Sequence, residues 1–343
     1  MNPALGAVTV VLIAVVGLAM VKWTPYYQKA FFAAAHHSIG SSILMGNADA
    51  PPAPSLQAAL DYAVAYCKAI WKAMVLGLLL GSAVQALLPQ RWIAAVLGGT
   101  GLRSVAVGGI LSLPGMMCTC CAAPVVSGLR ECRAAPGAAV AFWLGNTVLN
   151  PATLVFTGFV LGWDWTGLRL AVGLVMVFGL GWLANRFAKP GDSVAVDRRS
   201  DSARHDADEI SFARWLRVLG RMSARLIPEY VVLVLLLGAI RAWLFPHAGH
   251  EVDNSLAWIL GFAVAGTIFV IPTAGEVPIV QAMLALGVGV GPAAALLTTL
   301  PPISAPSLAM VWRSFPSRTL GIVSAGVIAL GVAAGLLATT LLS

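Results

Sequence analysis

Charge is what this sequence has least of. Only 10% of its 343 residues are Asp, Glu, Lys or Arg, against about 25% in an ordinary soluble domain, while 59% are hydrophobic and the mean hydropathy is +0.87. A water-soluble fold has no interior large enough to hide that much apolar surface. A soluble enzyme is therefore excluded, and the net charge of +7 reads as membrane topology and not as a nucleic-acid surface. No GxxxxGK[ST] sequence is present, so the chain carries no ATPase of its own. Cysteine is scarce: five residues, without paired spacing across loops, do not make a disulfide scaffold. The first apolar run lacks a basic n-region and a small-residue cleavage site, and reads as a transmembrane helix. No cofactor is expected.

Apolar runs make up most of the rest. "ALGAVTVVLIAVVGLAM", "AMVLGLLLGSAVQALL", "LRLAVGLVMVFGLGWLA", "YVVLVLLLGAIRAWLF" and "LGIVSAGVIALGVAAGLLATTLL" are near the ~20 residues that span a bilayer core. The fold class is all-α and polytopic. The one long hydrophilic stretch, residues 186–225, holds nine Lys and Arg, and basic loops stay cytoplasmic. Fixing it inside leaves Arg91, Arg103, Arg130 and Arg133 on the same side only if residues 104–129 enter the membrane and return. The same logic makes residues 255–287 a second reentrant hairpin, with Arg313 and Arg318 inside.

The breaks are "PGMMCTCCAAP", bounded by Pro114 and Pro124, and "IPTAGEVP", bounded by Pro272 and Pro278. Proline spacing supports a repeat: Pro114 to Pro151 spans 37 residues and Pro272 to Pro306 spans 34. Each unit crosses three times, so the copies are inverted. The expectation is seven spanning helices and two hairpins, with the N-terminus inside and the C-terminus outside. Its parts are an N-terminal helix (1–21), an extracytoplasmic loop (22–57), a first repeat (58–188), a basic cytoplasmic linker (189–225) and a second repeat (226–343). Inverted repeats with broken helices are the architecture of secondary transporters, whose sites lie at the breaks.

Cys118, Cys120 and Cys121 stand at the first break. Thiolates are soft ligands for thiophilic metals and metalloids, and these three offer a candidate metal or metalloid site. The bland alternative is that they pack as small apolar residues. Glu276, the only acid in residues 255–312, stands at the second break as a proton-coupling or substrate-binding candidate, or as the cap of a half-helix. Asn146 and Asn150 lie one helical turn apart and either touch substrate or satisfy backbone freed by Pro151. Thr299 and Ser304 occupy the equivalent stretch of the second half.

These same stretches, "LPGMMCTCCAAPVVSGLR", "GAAVAFWLGNTVLNPATLVFTGFVLGW" and "IPTAGEVPIVQAMLALGVGVGPAAALLTTLPPISAPSL", resemble the bacterial predicted permeases of the ArsP/YraQ type over residues 58–342. The resemblance implies a multi-pass protein of the bacterial cytoplasmic membrane that exports a small molecule or metalloid, as the characterised branch does with trivalent organoarsenicals. It also implicates the membrane cysteines. Where that family more usually has C-x-C-G before the proline, this chain has "CTCCAAP", with Cys121 at the glycine position. The leading reading is a proton-coupled exporter of a thiophilic solute. A permease for a sulfur compound or oxyanion with structural cysteines is the alternative, and a membrane thiol oxidoreductase is the competitor from another class.

Overall fold

A backbone that leaves water must satisfy each N–H and C=O itself, and along a single segment only a helix does so. The computed structural model describes residues 3–40, 55–188, 211–244 and 252–342, and every regular element among them is helical. The protein is an all-α polytopic membrane protein. Among the described residues, six helices are long and apolar enough to cross a bilayer, or seven if a pair bent by 112°, Gln90–Leu97 with Leu102–Gly115, is one span.

The first helix is longer than its apolar run. α1 (Pro3–Leu18) passes through a π-helical turn, Ala19–Trp23, into α2 (Thr24–His36), so residues 22–36 continue the helix where a loop was expected. Pro25, which has no N–H to donate, directly follows the π turn, the kind of local adjustment that accommodates a proline inside a membrane helix. The rest of that expected loop, residues 41–54, lies outside the described residues.

The first half continues with α3 (Leu56–Leu87), α4 (Gln90–Leu97), α5 (Leu102–Ser112), α6 (Thr119–Glu131), α7 (Pro136–Val148), α8 (Pro151–Val160), α9 (Trp163–Leu174) and α10 (Leu180–Arg186). The second half has α11 (Phe212–Leu244), α12 (Leu256–Ile268), α13 (Glu276–Ala285), α14 (Val290–Thr299), α15 (Ala305–Val311) and α16 (Ser317–Leu341). Of the expected linker, residues 189–210 lie outside the described residues, and the remainder is mostly the start of α11.

α5 and α6 form a hairpin whose arms begin and end at one level. Ala135 N–H donates to Leu97 O at 2.8 Å, closing the mouth, and α7 then runs beside α5 in the same sense. The approach is close enough that a Cβ on Gly108 would sit 2.3 Å from Ala138 O. α12 and α13 repeat the device. Gly289 N–H donates to Val252 O at 2.8 Å, Gly291 N–H to Asn254 Oδ1 at 2.8 Å, and α14 runs beside α12, with Gly266 against Thr299.

The helix after each hairpin is itself broken. Asn150 restarts the first by accepting the N–H groups of Ala152 and Thr153, and Ser304 restarts the second in a capping box with Ser307. Residues 290–311 are therefore two short helices, as residues 136–160 are.

Contacts also sort the loops to two ends. Arg130 Nε donates to Ser314 O at 3.0 Å, Gly137 N–H to Asn185 Oδ1 at 2.7 Å and Trp215 Nε1 to Ser82 Oγ at 2.9 Å. Most of the described arginines gather at this end. At the other, His37 Nδ1 bonds Phe159 O at 2.7 Å and Gln281 Nε2 donates to His37 O at 2.9 Å, with Asp164 five residues after Phe159 in the chain. The helix containing Lys22 starts from the arginine-rich end, and α16 finishes at the opposite one.

Candidate substrate site at the two hairpin tips

The tip of the first hairpin is a 3₁₀ turn, Leu113–Gly115, followed by Met116 in the left-handed region at φ 47°. α6 then begins, with Cys118 at its N-cap and no side-chain cap. Helical geometry splits the cysteines. Residues three apart share a face and residues two apart do not, so Cys118 Sγ and Cys121 Sγ stand 2.9 Å apart while Cys120 Sγ turns to Ser304 Oγ at 3.8 Å. The three sulfurs do not converge on one centre, and among the described residues no group of three or more His, Cys, Asp or Glu is set to hold a metal ion. All three cysteines are buried and free. Small residues on α3 let it close on them: a Cβ on Gly77 would sit 2.1 Å from Cys121 O, the tight approach that small residues allow between membrane helices.

The second tip leaves α12 extended at Phe269, runs without regular structure to Pro272 and turns at Ala274, φ 67°. Tyr62 hydroxyl donates to Val270 O and Tyr66 hydroxyl to Ile271 O at 3.1 Å, so irregular backbone is satisfied by α3. Glu276 is the first residue of α13. Its carboxylate does more than favour a helix start: Oε1 accepts from Arg169 Nη2 at 2.7 Å, with the two side chains 2% and 1% exposed. Arg169 Nη2 also donates to Thr147 O at 3.3 Å, while its Nε and Nη1 have no partner among the described residues. One ion pair thus ties α9 and α7 of the first half to α13 of the second.

Lys22 is the other charge at the tips. It is 4% exposed and donates to Tyr26 Oη at 3.1 Å and Thr273 Oγ1 at 3.0 Å. Next to it, Trp23 Nε1 donates to Pro114 O at 2.8 Å. The π turn of the first helix therefore holds both hairpin tips. Between them lies a cavity of about 240 Å³ whose wall includes Lys22, Tyr26, Lys29, Cys118, Thr273 and Gly275. A smaller void of about 10 Å³ adjoins Cys118, Thr147, Thr153, Thr273 and Glu276, which is room for about one water.

Of the other candidates, Asn146 Nδ2 satisfies Phe142 O at 2.9 Å and Asn150 caps α8. Asn146 Oδ1, Asn150 Nδ2 and Thr153 Oγ1 remain buried without partners among the described residues. Thr299 Oγ1 bonds Ala295 O at 2.8 Å, against the first arm of its hairpin. Pro124 lies inside α6 and Pro278 inside the first turns of α13. Lys22 and Arg169 had no place in the sequence reading. Arg169 was findable, since it is the only base in residues 163–185 as Glu276 is the only acid in residues 255–312, and intramembrane charges pair.

The Predicted permease family matches residues 4–131 and 104–340, nearly the whole chain. The chain belongs to this permease family. It is 51% identical over 327 residues to UPF0718 protein YraQ of Escherichia coli (strain K12), covering 95% of this chain and 93% of that protein. It is 33% identical over 109 residues to UPF0718 protein MJ0584 of Methanocaldococcus jannaschii, covering 31% of this chain and 28% of that one. No solved structure matches. The permease is thus a multi-pass membrane transporter.

Proposed function

We propose that this permease is a secondary transporter that exports a small thiophilic solute through the cavity where the two hairpin tips meet. The observation that carries the reading is the Cys118 and Cys121 sulfur pair, 2.9 Å apart, with Cys118 in the wall of that cavity. Two thiols condense with a dihydroxy trivalent arsenical to give a bis-thiolate complex and two waters, and hydrolysis reverses the step. Binding that reverses is what a carrier needs. Cys120, turned to Ser304, stands outside this pair.

Proton coupling is assigned to Glu276. Protonation removes its charge and releases Arg169, so the lock between the two halves opens with the proton. The two hairpins, closed by the same mouth contact and each leading into the same kind of broken helix, support inverted repeats that rock about the tips. The arginine-rich end is assigned to the cytoplasm, with the N-terminus inside and the C-terminus outside. An oxidoreductase would need a second thiol pair within exchange distance; Cys132 Sγ is engaged with Val84 O at 3.6 Å and Cys67 lies on α3.

The test is uptake of a trivalent organoarsenical into everted vesicles. Cys118→Ser with Cys121→Ser is expected to abolish it at unchanged protein level, while Cys120→Ser retains it. Transport by the double variant at the wild-type rate refutes the thiophilic reading.

A further inference from the structure

Among the described residues, Lys22 is a buried ammonium with no counter-ion. Its two bonds go to neutral hydroxyls, an ammonium has three N–H donors, and no carboxylate lines the 240 Å³ cavity it faces. The acid at the tips is already taken, because Glu276 pairs with Arg169. A charge held in a membrane interior without a partner is costly and marks a functional position.

Three further features carry the same sign. Lys29 lies seven residues on, about two helical turns and on the same face, and lines the same cavity. α6 and α13 both start at the tips, and neither N-cap residue, Cys118 or Gly275, supplies a side-chain cap. Helix N-termini present free N–H groups and the positive end of the dipole, and half-helices use them for anionic groups in other transporters. The π turn that carries Lys22 is a deviation of the kind that often marks a functional position. Resting on the permease reading above but not on its thiophilic solute, we propose that the cavity binds a small oxyanion with Lys22 as its counter-ion. Lys29 draws the anion along the wall, Thr273 and Tyr26 orient its oxygens, and Cys118 with Cys121 meets a soft atom if the solute carries one.

The experiment uses the full chain in nanodiscs, with radiolabelled thiosulfate and sulfate as probes and phenylarsine oxide measured in the same preparations. Saturable binding of thiosulfate is expected in the wild type. Lys22→Met is expected to weaken it about tenfold or more, the scale of a charge-assisted hydrogen bond, and Lys22→Arg to restore most of the affinity. Lys29→Met, at a half-buried position that tolerates change, is expected to weaken it about twofold to fivefold and serves if Lys22→Met does not fold. Sulfate binding is expected to survive Cys118→Ser with Cys121→Ser. No saturable binding of either anion, or lysine variants within twofold of wild type, overturns the proposal. The arsenical separates the two readings: phenylarsine oxide bound equally by the double cysteine variant sinks the thiophilic reading and leaves the lysine result standing.

Discussion

Removing one partner of the Arg169–Glu276 pair is the sharpest perturbation this fold offers. Both side chains are at most 2% exposed, and no other carboxylate is bonded to Arg169 among the described residues. Arg169→Met strands a carboxylate and also the Thr147 carbonyl; Glu276→Met strands a guanidinium that already has two nitrogens without a partner among the described residues. Breaking a buried pair from one side costs about 3–5 kcal/mol, whereas replacing both partners by apolar groups is about neutral or stabilising. Each single variant should therefore melt about 6–10 °C below wild type, at roughly 2 °C per kcal/mol for a chain of this size. The double variant should recover most of that loss, so the coupling energy, the two single losses less the small loss of the double, should be at least about 5 kcal/mol. Thermal unfolding in detergent reads the stability, and vesicle uptake reads the function. A stable double variant that no longer responds to a proton gradient is the expected result. If the two single losses simply add in the double variant, the pair does not hold the halves together and the coupling argument falls.

The geometry sets three other outcomes. Gly77→Ala places a Cβ against Cys121 O, where only backbone can give way, and should cost about 1–3 kcal/mol, read as a lowered melting midpoint. Ser304→Ala removes the cap of α15 and with it about 1 kcal/mol, together with the contact to Cys120; a melt unchanged within error would show that the capping box contributes nothing. A reporter fused after Ser343 should behave as extracytoplasmic and one at the N-terminus as cytoplasmic; the opposite pattern inverts the assigned topology.

The hairpins were legible because two rules converged on them. Proline and glycine punctuate the apolar runs at residues 113–124 and 271–278, and the arginines on either side agree only if the chain returns. The mouth contacts of Leu97 with Ala135 and Val252 with Gly289 have the geometry such a return requires. The cysteines were legible as a cluster but not as a pair, since the division of Cys118 and Cys121 from Cys120 depends on α6 beginning at Thr119. Lys22 was hidden for a different reason. A lysine at the end of an apolar run reads as an interfacial residue, and nothing local signals that the helix continues through a π turn to His36.

By itself the sequence determined the features that composition and periodicity control: an all-α membrane protein, its main apolar spans, two broken segments and the end of the molecule where arginine collects. These are consequences of solvent, because a bilayer dictates helix length and rejects charge wherever the chain crosses it. Only the tertiary structure decided which charges meet. Arg169 and Glu276 are 107 residues apart and Lys22 and Thr273 are 251 apart. Pairing at that separation depends on how the helices pack around the two tips, which no local pattern encodes.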